Sequence, residues 1–211
     1  MKRFDLSLYV ITDAALSRGR PNRTVIDAAL RGGATMVQYR AKNATTRTLI
    51  QEALELRELC RAHRIPLIVN DRVDVALAID ADGVHVGQED MPAALARQLI
   101  GKRKILGVSV ANGVEARTAI AGGADYLGVG AIFSTSTKAD AGKPIGLVGL
   151  AKVARASPVP VVGIAGINAA NAASVIRAGA AGIAVVSAVV SAADPQAAAR
   201  ELGAIVRAAK R

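Results

Sequence analysis

Three polar side chains alternate along one apolar stretch of the chain, and together they could bind a phosphorylated ligand. Gln38, Arg40 and Lys42 are spaced two residues apart, so an extended backbone directs all three to the same side. Two cations facing an apolar helix layer would be buried without partners, so we expect them to face the interior or the mouth of the fold. A planar guanidinium beside an ammonium group suits a phosphate or a diphosphate. The alternative is a strand that continues into a solvated loop.

Carboxylates follow two neighbouring apolar stretches. Asp71 comes directly after Asn70, and Asp90 lies shortly after the next stretch. One or two carboxylates beside a phosphate and water are the ligands that Mg²⁺ typically takes in proteins, so a magnesium site is one interpretation. The other is that Asp71 and Asp90 cap helices over 72–79 and 91–100, and the sequence leaves both open.

Two further segments could bind a second phosphate. Residues 134–138 form a loop of hydroxyl side chains that ends in a lysine. Gly166 and the pair Val186–Ser187 follow the last two apolar stretches. Backbone N–H groups beside a glycine can approach a phosphate closely, which favours an anion site, although glycine is also used for tight packing.

His85 and Ser109 each lie at the end of an apolar run. His85 stands between Val84 and Val86, so it faces the interior if those valines pack on helices. A lone histidine is more often a hydrogen-bonded core residue, but its position near the strand end also predicts a contact with substrate.

These residues are positioned by short apolar runs that alternate with helical patterns. The runs predict strands over 6–12, 34–40, 66–70, 82–86, 104–109, 124–130, 160–164 and 180–187. The segments between and after them predict helices over 22–31, 45–64, 71–79, 91–100, 112–121, 147–156, 168–178 and 194–209, with Asn22, Asn112 and Asp194 as N-caps. Eight strand–helix units with no linker imply an α/β fold of parallel strands joined by right-handed crossovers.

The polar strand ends distinguish a closed barrel from an open sheet. In an open sheet the second and eighth strands would lie about 29 Å apart, at about 4.8 Å per strand, so their polar ends could not share one small ligand. Closure brings every carboxyl end to one mouth, where such barrels place their active sites. The sequence therefore predicts a (β/α)₈ TIM barrel with residues 1–211 as a single catalytic domain.

Composition excludes several other classes of protein. The 27 basic and 17 acidic residues give a net charge of +10, yet the cations are scattered, and five aromatic residues without a tryptophan are too few for a platform that stacks nucleic acid bases. The uncharged stretch 156–176 is interrupted by proline and glycine, which argues against a membrane helix. Cys60 alone cannot form an intramolecular disulfide or a multi-cysteine metal site. We expect a cytoplasmic protein, compatible with a homo-oligomer, whose partners are phosphorylated small molecules rather than nucleic acid or membrane.

The chain resembles the thiamine-phosphate synthase family over nearly its whole length. The resemblance is carried, in order, by LYVITD (8–13), QYRAK (38–42), IVND (68–71), GVHVGQED (83–90), LGVS (106–109), LGVGAIFSTSTK (127–138), GIAGIN (163–168) and VVSA (185–188). It implies that hydroxymethylpyrimidine diphosphate loses diphosphate while the ring nitrogen of a thiazole phosphate attacks its methylene carbon. The products are thiamine phosphate and diphosphate, formed by Mg²⁺-assisted dissociative displacement.

The resemblance also implies roles for individual residues. Catalysis would depend on Arg40, Lys42, Ser109 and Lys138, and Asp71 and Asp90 would bind Mg²⁺. The remaining substrate contacts would come from Gln38, Tyr39, Ala41, Asn70, His85, Thr135, Ser136, Thr137, Gly166, Val186 and Ser187.

The chain departs from the family pattern in three places. Family members often have histidine where this chain has Ala111, and Gly-Pro and Gly-Gly where it has Gly130-Ala131 and Ala165-Gly166. The alternatives are a related barrel that acts as a thiazole phosphate tautomerase and a non-catalytic sensor of a phosphorylated ligand. The tautomerase needs a general acid/base at the mouth, for which Ala111 removes the obvious candidate, and a sensor would not need the metal and leaving-group residues.

Overall fold

A computed structural model describes residues 4–135 and 143–211. Within these residues eight parallel strands close into a barrel in which each strand pairs with its neighbours in the chain and β8 pairs with β1. The strands are β1 (Leu8–Ile11), β2 (Met36–Tyr39), β3 (Leu67–Asn70), β4 (Gly83–Val86), β5 (Ile105–Val110), β6 (Tyr126–Val129), β7 (Val161–Ile164) and β8 (Gly182–Val185). The predicted (β/α)₈ barrel is confirmed, and each observed strand overlaps its predicted run.

Helices form the outer layer. They are α1 (Asn22–Arg31), α2 (Thr46–Ala62), α3 (Val73–Ala78), α4 (Ala93–Ile100), α5 (Gly113–Ala121), α6 (Gly146–Ala156), α7 (Ala172–Arg177), α8 (Ser187–Val190) and α9 (Pro195–Ala209). The short helix α8 and a 3-10 turn at Ala14–Leu16 were not predicted. Helix α7 begins four residues later than predicted because Asn168 and Asn171 bind nearby backbone N–H groups in a turn.

The strands alternate between two cores, as an extended backbone requires. On β1, Leu8 and Val10 pack outward against the helices, whereas Tyr9 and Ile11 point into the barrel. The inward cluster fills the interior with large side chains, among them Met36, Ile68 and Tyr126. The barrel is therefore packed at its centre, and the strand ends at one mouth are left for a ligand.

Two of the three predicted helix caps are confirmed. The Asn112 side chain accepts hydrogen bonds from the second and third residues of α5, and Asp194 accepts one from Ala197 N. The prediction for Asn22 is wrong, because Asn22 is itself the first residue of α1. Its side-chain amide instead donates to Glu52 Oε2 at 3.0 Å and joins α1 to α2.

Cys60 is a buried thiol on α2, and burial raises its pKa to about 12, so the thiol stays protonated and unreactive near neutral pH. Across the described ranges, none of the helices combines the length and the apolar character needed to cross a bilayer.

Candidate active site

A cavity of about 450 Å³ opens at the carboxyl ends of the strands. Every one of the eight strands, or the loop that follows it, contributes to its wall. Most of the predicted site residues meet here: Gln38, Arg40, Lys42, Asn70, Asp71, His85, Asp90, Ser109, Thr135, Gly166, Val186 and Ser187.

Two predicted substrate contacts do not line this cavity. Tyr39 alternates with Gln38 and therefore points outward, where it is 1% exposed and its hydroxyl donates to Glu52 Oε2 at 3.0 Å. Ala41 likewise packs against the hydrophobic core between the strands and the helices. Ser136, Thr137 and Lys138, which were predicted to bind substrate, lie outside the described residues.

Arg40 is anchored on one side of the cavity by β1 and the loop after it. Its backbone N–H donates to Thr12 Oγ1 at 2.8 Å, and the Thr12 hydroxyl is 3.1 Å from the Arg40 carbonyl. Its guanidinium lies 3.4 Å from Asp13 Oδ2. These contacts hold the backbone of Arg40 against a buried threonine, so the guanidinium extends from a rigid strand end.

The carboxyl groups of Asp71 and Asp90 interact with each other in the cavity wall. Burial and the Asp90 carboxylate raise the pKa of Asp71 to about 7, although Lys42 and Arg40 act in the opposite direction. The two aspartates therefore form a crowded anionic pair that faces two cations.

Neither aspartate caps the helix that follows it. Arg72 and Pro92 occupy the cap positions of α3 and α4, and neither start has a side-chain cap hydrogen bond. Asp90 Oδ2 instead accepts from Gly87 N at 2.7 Å, which holds the loop after β4 against the cavity.

Asp71 has a φ of +60° and donates its backbone N–H to the His85 carbonyl at 2.8 Å. An unfavourable backbone angle at this residue fits a binding role better than a capping role.

The part of the chain that the structure describes contains no group of three or more His, Cys, Asp or Glu side chains able to hold a metal by themselves. Two carboxylates are nevertheless the protein ligands that Mg²⁺ typically takes when phosphate and water complete its shell. A divalent cation held by Asp71 and Asp90 would also offset the repulsion that raises the pKa of Asp71. The donor set thus fits Mg²⁺ bound together with a phosphorylated ligand.

Tyr9 lines the cavity and Tyr126 contacts two residues of its wall, although the sequence pattern did not single out either tyrosine. Tyr126 OH is 2.9 Å from His85 Nδ1 and 2.9 Å from Tyr9 OH, and Gln38 Nε2 donates to Tyr9 OH at 2.8 Å. Both hydroxyls occur at inward strand positions in a chain with few aromatic residues. Since a buried tyrosine hydroxyl needs a polar partner, their inward positions in the sequence could have indicated a polar contact inside the barrel.

Gly107 makes the contact between His85 and Tyr126 possible. In the strand register it lies directly between them, paired with His85 on β4 and with Tyr126 on β6. A methyl group at this position would overlap both the tyrosine ring and the histidine ring. The two large side chains therefore meet across the space that the glycine leaves.

The loop after β7 has two consecutive residues in the left-handed backbone region, Ala165 at φ +80° and Gly166 at φ +66°. A side chain on Gly166 would come within 2.6 Å of the Ser134 carbonyl, so this loop packs tightly on the one after β6. Phe133 N donates to the Ala165 carbonyl at 3.2 Å and closes the contact. The tight turn holds the Gly166 backbone at the cavity wall.

Ala165→Gly is expected to stabilise the protein by about 0.5–1 kcal/mol, because an L-residue with a positive φ is strained and glycine is not. Thermal unfolding should show a rise in Tm of about 2 °C for a chain of this size. Gly166→Ala is the matched control and should lower Tm, since it adds a methyl group where glycine is required. A lower Tm for Ala165→Gly would contradict the backbone geometry at this turn.

Known proteins resemble this chain in sequence and in structure. Residues 8–189 match the family described as thiamine monophosphate synthase. Thiamine-phosphate synthase from Chloroflexus aurantiacus is 66% identical over 96% of this chain and 93% of its own length. The corresponding protein from Moorella thermoacetica is 53% identical over 96% and 97%.

A solved structure agrees with these sequence matches. Thiamine phosphate pyrophosphorylase from Pyrococcus furiosus superimposes with a TM-score of 0.90 at 47% identity, covering 97% of this chain and 96% of that one. The predictions of the family, the fold and a transferase of thiamine biosynthesis are therefore confirmed. The chain belongs to the thiamine monophosphate synthase family.

Proposed function

We propose that the chain condenses hydroxymethylpyrimidine diphosphate with thiazole phosphate and releases thiamine phosphate and diphosphate. The observation that carries this proposal is the grouping of Arg40, Lys42, Asp71 and Asp90 in one cavity that also includes the loops after β7 and β8. Two cations and a carboxylate pair suit a diphosphate, and a loop with close backbone approach suits a single phosphate.

In this reaction the protein has to neutralise the charge on the departing diphosphate and to position the two substrates. The bond from the methylene carbon to the diphosphate oxygen breaks and leaves its electron pair on diphosphate, and the thiazole nitrogen supplies the pair for the new C–N bond. Arg40 and Lys42 would stabilise the charge that develops on the departing oxygen. Gln38, Asn70 and Ser109 would hold the pyrimidine ring so that its methylene carbon faces the second substrate.

Asp71 and Asp90 would hold Mg²⁺, which when bound neutralises charge on the diphosphate oxygens. Support comes from the anionic pair itself, since burial and mutual repulsion raise the pKa of Asp71 to about 7. Both side chains line the cavity and leave the starts of α3 and α4 uncapped.

The phosphate of the thiazole would bind on the side formed by Thr135, Gly166, Val186 and Ser187. The tight loop around Gly166 brings the backbone close to the cavity, as a phosphate contact requires. A tautomerase would bind only one phosphorylated substrate and would have no use for the carboxylate pair beside Arg40, so the site favours the condensation.

The test is an assay in which the purified protein is mixed with both substrates and the formation of diphosphate and of thiamine phosphate is measured. With Mg²⁺ we expect both products in equal amounts, and with EDTA we expect a rate at least about tenfold lower, which corresponds to about 1.4 kcal/mol. Asp71→Ala should lower kcat/KM by at least about tenfold at saturating Mg²⁺.

Asp74→Ala is the matched control, since this aspartate lies three residues away on α3 with its side chain 64% exposed. Its kinetics should equal those of the unchanged protein. Folded protein that makes no thiamine phosphate in Mg²⁺ would refute the condensation. An EDTA-insensitive rate would refute the magnesium site alone.

A further inference from the structure

Five side chains from five different strands form a continuous chain of hydrogen bonds across the barrel interior. It runs from Gln38 Nε2 to Tyr9 OH (2.8 Å), to Tyr126 OH (2.9 Å), to His85 Nδ1 (2.9 Å), and from His85 Nε2 to Ser109 Oγ (2.8 Å). We propose that every bond in this chain points the same way, from the Gln38 amide to the Ser109 hydroxyl. Tyr9 and Tyr126 are then positioning residues that hold His85 with its proton on Nε2.

The direction follows from the donor at the Gln38 end. The amide nitrogen of Gln38 can only donate, so Tyr9 OH accepts that bond. Within residues 4–135 and 143–211 the other partner of this hydroxyl is Tyr126, which must therefore receive the Tyr9 proton. Tyr126 OH in turn has its own proton left for His85.

The same logic determines the tautomer of His85. Because Tyr126 donates to Nδ1, that nitrogen carries a lone pair and no proton. A neutral imidazole has one N–H, so the proton lies on Nε2 and is donated to Ser109 Oγ. The Ser109 hydroxyl accepts this bond and retains its own hydrogen for another partner.

Burial makes the opposite direction costly. Tyr9, Tyr126 and Gln38 are at most 3% exposed, so water cannot satisfy a group that loses its partner. With Tyr126 donating instead, the Tyr9 oxygen would accept both of its bonds, and the Tyr9 hydrogen would be buried without an acceptor. Burial also raises the pKa of Tyr9 and of Tyr126, which keeps both hydroxyls protonated as donors.

The chain has a consequence for the ligand at its open end. Ser109 lines the cavity, and because its hydroxyl accepts from His85, its hydrogen remains available to the substrate. We therefore expect this hydrogen to face an acceptor on the substrate, such as an unprotonated ring nitrogen. This consequence rests on the proposed function, whereas the direction of the chain does not.

Nitrogen NMR of substrate-free protein labelled with ¹⁵N-histidine tests the direction. The chain has two histidines, and His63→Gln removes the signals of the other one. We expect His85 Nδ1 to resonate as an unprotonated imidazole nitrogen and Nε2 as a protonated one. A proton on Nδ1 would overturn the proposal, whatever the activity assay shows.

Two variants test whether the tyrosines set this tautomer. Tyr126→Phe removes the donor to Nδ1, and the two His85 nitrogen shifts should move toward each other as the preference for Nε2–H is lost. Tyr9→Phe should shift them in the same direction by a smaller amount, although Tyr9 hydrogen-bonds to Tyr126 and not to His85. Only a directional chain transmits that second effect.

Tyr39→Phe is the matched control, because its hydroxyl binds Glu52 outside the barrel. It should leave both His85 shifts in place. If Tyr9→Phe is folded and gives His85 shifts equal to those of Tyr39→Phe, the tyrosines do not position the histidine. Tyr9→Phe keeps the Tyr126–His85 contact, so this comparison remains decisive even if Tyr126→Phe fails to fold.

Discussion

Arg40→Ala is expected to lower kcat/KM for the proposed diphosphate substrate by at least about tenfold, and steady-state kinetics measure the effect. The guanidinium faces the cavity from a strand end that Thr12 holds through two backbone contacts. A hydrogen bond to a charged group contributes about 1.5–3 kcal/mol, which corresponds to roughly ten- to hundredfold in rate. The loss should appear in kcat as well as in KM, since in the proposed reaction the charge on diphosphate grows as the bond breaks.

Two further variants identify the origin of this loss. Arg40→Lys keeps the charge and loses the planar fork, so it should recover only part of the activity. Arg61→Ala removes an arginine of the outer surface that binds Asp80, and its kinetics should be unchanged. Equal kcat/KM in Arg40→Ala and Arg61→Ala would contradict the proposed diphosphate site at Arg40.

Gly107→Ala is expected to destabilise the protein by about 3 kcal/mol, the upper end of what overpacking of a core costs. The added methyl group would overlap the Tyr126 ring and His85 Nδ1, both of which are enclosed by neighbouring strands. Denaturant unfolding should show the lower stability. The same overlap would separate Tyr126 from His85, so the His85 nitrogen shifts should change as well.

Gly113→Ala provides the control for this substitution. Gly113 opens α5, and its nearest neighbour for an added methyl group is the end of the Arg117 side chain at 3.6 Å. Alanine is the better helix former, so stability should stay the same or rise by up to about 1 kcal/mol. If Gly107→Ala were as stable as Gly113→Ala, the packing described between β4 and β6 would be incorrect.

The positions of the strands could be predicted because the sequence pattern that forms each strand is local. Each strand of this barrel is a short apolar run bounded by polar residues, and burial on both faces requires that composition wherever the run lies. Helix starts were less predictable. Asn22 is a favourable capping residue by type, yet it binds Glu52 on a different helix, which no local pattern could indicate.

The mouth of the barrel was predictable for a geometric reason. Parallel strands in a closed barrel bring all their carboxyl ends together, so polar residues at strand ends must meet whatever the details of packing. Arg40, Asp71 and Ser109 are therefore found in one cavity, as their places in the sequence predicted. Tyr39 is not, because adjacent residues on a strand face opposite sides.

The sequence by itself determined the order of strands and helices, the closed barrel, the residues at its mouth and the family. Only the tertiary structure decided how side chains meet inside the barrel. Tyr9 and Tyr126 are 117 positions apart in the chain, and their hydrogen bond depends on strand register and on the space left by Gly107. Composition and spacing specify which residues point inward, whereas contacts between them depend on how neighbouring strands are aligned.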